Sequence, residues 1–417
     1  MLLKALEIEE LYYTFSYKIN FDKDPNLYVL TGLNGYGKTT ILRILASLSK
    51  SDDLYYFYTI PFKRILVVFD NGIKLIISKI KNSSLDNDDD IATNEKQTTV
   101  FKLSRGKRLI SKFEIDRKSF EGSEYYQNSL NKQNDQESDY RYIFFDTSKP
   151  KKKNEIIERC SMNLSILNTT FISSQRLYRE DNKGKSHYVI HDMNQSMSRF
   201  LKRAYFDYLS TSQELDSHQI DLLLNDDVNI ISEKEFTEKA DNIQQLVKAL
   251  RSYNLLPAMT VRPYNKDKPL ISSVYLNTLE QKLHVYDDIR RRLRLFFNLL
   301  NEKKFVNKSF VVSRESGFQV HLNKGGILDD LNNLSSGEQN EIYLLFKLIF
   351  EVPSKSLLLI DEPELSLHVA WQLQFIKDIK EIAKIRDIQI IIATHSPEIV
   401  SESIDNCIDL TEINKSK

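Results

Sequence analysis

The chain has 417 residues, and its 58 lysines and arginines balance 58 aspartates and glutamates, so no global basic field gathers nucleic acid. It lacks an apolar run long enough for a signal peptide or a spanning helix. Its two cysteines, Cys160 and Cys407, form no Cys-x-x-Cys pair, which excludes a zinc hook and argues against structural disulfides. The composition points to a cytoplasmic protein, and at ~150 residues per domain the length suggests two or three domains.

Residues 6–21 alternate polar and apolar side chains, which predicts a hairpin, and the apolar run at 27–30 (LYVL) predicts a buried strand. GLNGYGKT at 32–39 then fits the phosphate-loop pattern G-x-x-x-x-G-K-S/T, and helical spacing follows at 40–45. Backbone N–H groups at such a helix start point at phosphates. The predicted nucleotide contacts are Gly32, Asn34, Gly35, Gly37, Lys38, Thr39 and Thr40, with Lys38 as point charge and the Thr39 hydroxyl reaching a magnesium ion. Three tyrosines and a phenylalanine at 55–58, then 65–69 and 73–77 around a turn at 70–72, read as strands.

From 81 to 160 the composition turns polar, with an acidic run at 86–90, a second hairpin at 101–113 around Gly106 and a polar stretch near 127–138. A β-like run at 170–174 leads to Gln175, placed to reach the metal or the lytic water. Amphipathic helices are expected at 197–209, 233–250 and 279–300, forming an arm of modest length that is either a packed subdomain or a partner surface. A strand is expected at 310–312.

LSSGEQ at 334–339 reads two ways. Ser335 and Glu338 fit a capping box ahead of a helix at 342–350, and the same exposed amides beside Ser335, Ser336, Gly337 and Glu338 make an anion site. LLLIDEP at 357–363 is an apolar strand ending in two carboxylates at a ligand crevice, with Asp361 holding magnesium and Glu362 acting on the attacking water. A last strand reaches Thr394 and His395, where the imidazole is placed as a γ-phosphate sensor.

These motifs, in this order, resemble the ABC-class ATPase heads of the OLD-like and RecF/SMC-like group, and within it the ATPase subunits of antiphage systems such as PARIS and Septu. The resemblance implies an α/β fold: an ABC-type P-loop ATPase head, a mixed sheet with flanking helices, carrying an inserted β-rich segment and a helical arm subdomain. Its expected parts are an N-terminal head lobe at 1–80, the polar insertion at 81–160, a head segment with Gln175 at 161–189, the arm at 190–324 and a C-terminal head lobe at 325–417. Gln175 matches the family's Q-loop glutamine and a magnesium ligand, Asp361 and Glu362 its Walker B pair, and His395 its switch histidine.

The resemblance further implies a head-to-head dimer that sandwiches two ATP molecules, Lys38 of one protomer facing Ser335 and Gly337 of the other. Ser336 replaces a glycine usual in transporters, the stretch 365–368 lacks their D-loop aspartate, and a long insertion separates Lys38 from Gln175. All three depart from transporter cassettes. Twenty residues follow Pro397, too few for a nuclease domain, so the expected role is a sensor or gate for a separate effector such as a Toprim or HNH nuclease. The alternative is a RecF-like clamp on DNA, supported by basic clusters at Lys151, Lys152 and Lys153 and at Arg290, Arg291, Arg292 and Arg294. No membrane partner is expected. An adenine-stacking aromatic could lie among Tyr12, Tyr13 and Phe15.

Overall fold

The computed structural model describes residues 2–22, 26–49, 52–81, 97–115, 168–174, 178–180, 186–224, 229–303, 305–328, 331–365 and 367–414. Most of the 81–160 segment, with Lys151–Lys153 and Cys160, lies outside these residues, as does Gln175. The chain divides into two units, Met1–Lys185 with Val352–Lys417, and Ser186–Glu351.

In the first unit, period-two burial produces an antiparallel sheet. Its strands are β1 (Leu3–Leu11), β2 (Phe15–Asn20), β4 (Arg64–Phe69), β5 (Ile73–Lys81), β6 (Gln97–Arg105) and β7 (Arg108–Ile115), in the order β2-β1-β4-β5-β6-β7. The hairpins expected at 6–21 and around residues 70–72 and Gly106 are all present.

A second sheet is wholly parallel. It orders β15 (Cys407–Asp409), β3 (Leu27–Thr31), β14 (Gln389–Ala393), β13 (Leu357–Asp361) and β8 (Thr169–Ile172) as β15-β3-β14-β13-β8. Every residue of β13 and β14 is buried, which is why these stretches read as unbroken apolar runs rather than alternating ones. The helix Lys38–Ala46 contributes Ile41, Leu42, Ile44 and Leu45 to one apolar cluster, shared with Leu6 and Ile8 of β1, Ile65 and Val67 of β4, Leu359 of β13 and Ile391 of β14. One core thus serves both sheets. Buried Gln389 stitches them further, accepting from the Leu3 N–H at 2.7 Å and donating to the Leu3 carbonyl at 2.8 Å.

The aromatic run at 55–58 departs from the sequence reading: it is the short helix Tyr55–Thr59, following a 3-10 turn at Asp52–Leu54. Two causes favour a helix here. Asp52 and Asp53 lie in the 3-10 turn just before it, and Lys79 Nζ donates to the Tyr58 and Ile60 carbonyls where it ends. Phe57 then drops into the sheet, edge-on to Phe101 at 5.6 Å, and Phe101 stacks on Phe113 at 4.7 Å.

The second unit contains the helices Val189–Leu224, Glu233–Ser252, Pro269–His284 and Asp287–Glu302, the hairpin β11 (Lys308–Ser313) and β12 (Gly317–Leu322), and the helix Ser336–Phe346. Strands β9 (Tyr178–Glu180) and β10 (Ser186–Tyr188) precede its first long helix. The single helix expected at 279–300 is interrupted at Val285 and Tyr286. Lys282 and His284 favour a helix end and Asp287 and Asp288 a helix start, so the macrodipoles of two shorter helices are both satisfied. Tyr286, fully buried at the break, donates to the Leu255 carbonyl at 3.3 Å. Phe296, edge-on to Phe318 and Phe350, anchors this unit's core.

Phe101→Ala would empty the space that orders both the helix Tyr55–Thr59 and the outer strands. The expected loss is about 3–5 kcal/mol, read as a lower urea midpoint for the full chain.

Candidate functional site

The register of the parallel sheet places the site. Asp361 lies level with Ala393, Ala393 with Leu30, and Asp409 with Thr31, so four strands end on one line. The phosphate loop, the paired carboxylates and the histidine loop all leave the sheet at that edge, the position where open α/β sheets bind ligands.

The phosphate loop turns into the helix Lys38–Ala46 at Gly37, whose φ of 77° is left-handed and where an added Cβ would meet Leu11 Cδ2 at 3.4 Å. No side chain caps this helix and no acidic residue occupies its first turn. Its N-terminal amides and positive dipole end are therefore uncompensated by the chain, the electrostatic requirement for an anion site. Lys38 is 6% exposed and folds back over the loop, donating to the Gly32 carbonyl at 2.8 Å and the Leu33 carbonyl at 3.1 Å. Burial lowers its pKa, and the carboxylates of Glu362, Asp361, Glu364 and Asp409 oppose that shift. An ammonium has three donors, so one remains for a phosphate oxygen.

The next residue joins the first motif to the third. Thr39 Oγ1 donates to Asp361 at 2.9 Å from Oδ1 and 3.1 Å from Oδ2. Burial pushes the Asp361 carboxyl from its ordinary 3.8 up to about 6, opposed by the Thr39 bond and Arg43 and assisted by Glu362 and Glu364. Thr39 and Asp361 are hard oxygen donors in contact, a set that fits magnesium.

Glu362 follows β13 with φ 45°, left-handed for a non-glycine residue, while its N–H still bonds the Ala393 carbonyl at 2.8 Å. It lines a cleft of about 530 Å³ with Asn34, Glu364, Gln372, His395 and Glu398. His395 is exposed there, whereas the adjacent Thr394 is fully buried. Neither Asp361 nor Glu362 caps a helix. The next long helix, Val369–Arg386, is capped instead by His368 Nδ1, and Trp371 in its first turn stands 6.3 Å from the His368 ring. Trp371 is the chain's one tryptophan.

The hairpin tip beside the loop is unusual. Tyr12 and Tyr13, at φ 52° and 61°, occupy the two central positions of a turn closed by Thr14 N–H to the Leu11 carbonyl at 3.1 Å, where hairpins favour Asn-Gly. Tyr12 Oη lies 3.4 Å from Thr40 Oγ1, and Tyr13 is 78% exposed. Phe15 is instead packed against Tyr17 and Tyr36.

Ser335, Ser336, Gly337 and Glu338 belong to the second unit. Their capping box is complete: Ser335 Oγ accepts the Glu338 N–H at 3.3 Å, and Glu338 Oε2 accepts the Ser335 N–H at 3.0 Å. Burial raises the Glu338 pKa, but bonds from Lys308 at 2.8 Å and from Ser335 outweigh it and the net shift is downward. Gln339 Nε2 holds the preceding Leu334 carbonyl at 2.8 Å, and the fully buried Lys303 pairs with Glu341 at 2.9 Å.

The AAA ATPase domain family AAA_15 matches residues 1–400, motifs and intervening units together. The chain belongs to this family. The match spans both motif groups and identifies an ATPase domain. Over 78 residues the chain is 35% identical to protein ea59 of Escherichia phage lambda, a segment spanning 19% of this chain and 15% of that protein. Among solved structures, the Smc head bound to the C-winged helix domain of ScpA is 12% identical, with 98% of this chain and 94% of that one covered and a TM-score of 0.37. The SMC head domain from Thermotoga maritima is 11% identical, with 96% and 92% covered and a TM-score of 0.33. The family rests on the AAA_15 match and the site on its own geometry.

Sequence reasoning missed Arg43, whose charge acts on Asp361, and Glu364 and Gln372, which line the cleft. Glu364 directly follows the LLLIDEP motif at 357–363, and its bonding partners lie far along the chain.

The Asp361 shift has a testable sign. A folded pKa above the unfolded value means that this carboxyl's favourable contribution is complete below about pH 4 and is lost as pH rises through about 6. Without metal or nucleotide, Asp361→Asn should therefore become more stable than the native chain as pH rises from 4.5 to 7.5, by up to about 3 kcal/mol. Thermal melts in chelator check this.

Proposed function

We propose that the AAA_15 head binds Mg-ATP at the β3, β13 and β14 edge and hydrolyses it as a head-to-head pair that gates a separate effector. The observation that carries the catalytic part is the Thr39 to Asp361 bond, with Glu362 and His395 lining one cleft beside it. Loop amides from Gly32 to Thr40 and the Lys38 ammonium hold the phosphates. Tyr12 and Tyr13 offer an aromatic platform for the base. Thr39, Asp361 and, from outside the described residues, Gln175 would hold magnesium, which when bound supplies positive charge to the β- and γ-phosphate oxygens.

Glu362 takes the proton of the attacking water, and His395 donates a hydrogen bond to the γ-phosphate as its charge changes. In the pair, Ser335, Ser336, Gly337 and Glu338 of one protomer complete the site of the other. The effector is a nuclease of Toprim or HNH type, and the setting is cytoplasmic antiphage defence; the motif resemblance supports this part. ATP binding and hydrolysis change the effector's affinity only through contacts that differ between open and closed pairs.

A DNA clamp is the less supported reading. Arg292 is paired with Asp288 at 2.6 Å and bonded to the Phe350 carbonyl, Arg290 is paired with Asp287 at 3.5 Å, and Arg291 Nε donates to the Asp287 carbonyl at 3.3 Å. Two of the cluster's four arginines, Arg290 and Arg292, are thus ion-paired within their own unit.

Lys38→Ala should abolish ATP binding in calorimetry. Glu362→Gln should bind ATP but lose turnover on the order of 10²–10⁴-fold and accumulate as a pair in light scattering; native turnover in that variant would show that the base lies elsewhere. Tagged Glu362→Gln isolated from its host in ATP should bring down a stoichiometric nuclease by mass spectrometry, whereas recovery of DNA with repair proteins would favour the clamp.

A further inference from the structure

β13 and β14 run level as far as Asp361 and Ala393, and beyond that point no ladder holds their loops together. A side chain outside the recognised catalytic pair does so. Glu364 Oε2 accepts from Thr394 Oγ1 at 2.8 Å, and Oε1 accepts the backbone N–H of His395 at 2.7 Å. Thr394 Oγ1 in turn accepts the Ser396 N–H at 3.0 Å. Three consecutive residues around an exposed imidazole are thereby fixed from one carboxylate. Ser396 continues the chain of bonds to Gln372 at 2.8 Å, on the helix that forms the cleft's shoulder.

We propose that Glu364 is a positioning residue for ATP hydrolysis: it clips the histidine loop to the end of β13 and sets where the His395 ring stands relative to Glu362. The proposal rests on the reading of His395 as the group that meets the γ-phosphate. The residue type follows from the donors. A hydroxyl and an amide converge on this point, and an ionised carboxylate offers two acceptors and no competing donor. Aspartate would fall one methylene short. Glutamine could keep both bonds, its carbonyl accepting from His395 and its amide donating to a reoriented Thr394 hydroxyl, so hydrogen bonding and charge can be separated.

The test uses the full chain with Glu364→Ala, Glu364→Gln, His395→Ala and the double variant Glu364→Ala/His395→Ala. ATP turnover is measured together with amide hydrogen exchange over residues 388–400. Glu364→Ala should lower kcat on the order of 10–100-fold, as expected for a displaced catalytic group, with KM nearly unchanged and faster exchange at His395. Glu364→Gln should recover most of that loss. The double variant should be no slower than His395→Ala, because a residue acting through the imidazole has nothing left to position. Should Glu364→Ala fold poorly, Thr394→Val removes one donor and is expected to show a smaller kcat loss with the same change in exchange.

Native kcat in Glu364→Ala, unchanged exchange at His395, or losses that multiply in the double variant would each overturn the clip. Native turnover in His395→Ala would overturn the reading of the imidazole itself and the catalytic part of the clip with it. That outcome is recognisable without reference to Glu364.

Discussion

The Thr39 hydroxyl bonded to the buried Asp361 carboxylate is the contact on which the head depends. It can form only because β3 and β13, separated by β14, end on one line, and because the short loop 32–37 after β3 turns through a left-handed glycine into the helix that begins at Lys38. Burial makes that carboxylate reluctant to ionise, and the hydroxyl and the nearby Arg43 guanidinium oppose the effect. The site is thus held by a charge that is costly to the apo chain and well matched to a cation.

The two helix starts that the sequence marks as anion sites are physically unlike. The helix Lys38–Ala46 begins with no capping side chain, and its amides are left to a ligand. The helix Ser336–Phe346 begins with a complete capping box, and Lys308 fixes the same glutamate from outside. That helix is further mounted on the Lys303 and Glu341 pair, where removing one buried partner would typically cost about 3–5 kcal/mol. The first start is built to receive charge, the second to keep its shape.

Much of the head could be read from sequence because its signals are local. A phosphate loop, an apolar strand ending in carboxylates and a capping box each lie within a few residues, and the chain forms them as written. The aromatic run at 55–58 misled because strand preference is a statement about packing surfaces, and here a preceding turn with two aspartates and Lys79 at the far end favour a helix. The break at Tyr286 was hidden because apolar spacing continues across it, although charges at both helix ends record it. The Glu364 clip was illegible for another reason: its partners lie thirty residues on and are chosen by strand register, not by spacing.

Trp371 bears on how this molecule can be observed. With one tryptophan in 417 residues, indole emission comes from a single place, the first turn of the helix Val369–Arg386, next to Gln372 and the cleft. With excitation that tyrosine does not absorb, its intensity and wavelength therefore follow the surroundings of that one helix turn, while the second unit, which holds tyrosines but no tryptophan, is followed through tyrosine emission or helical dichroism.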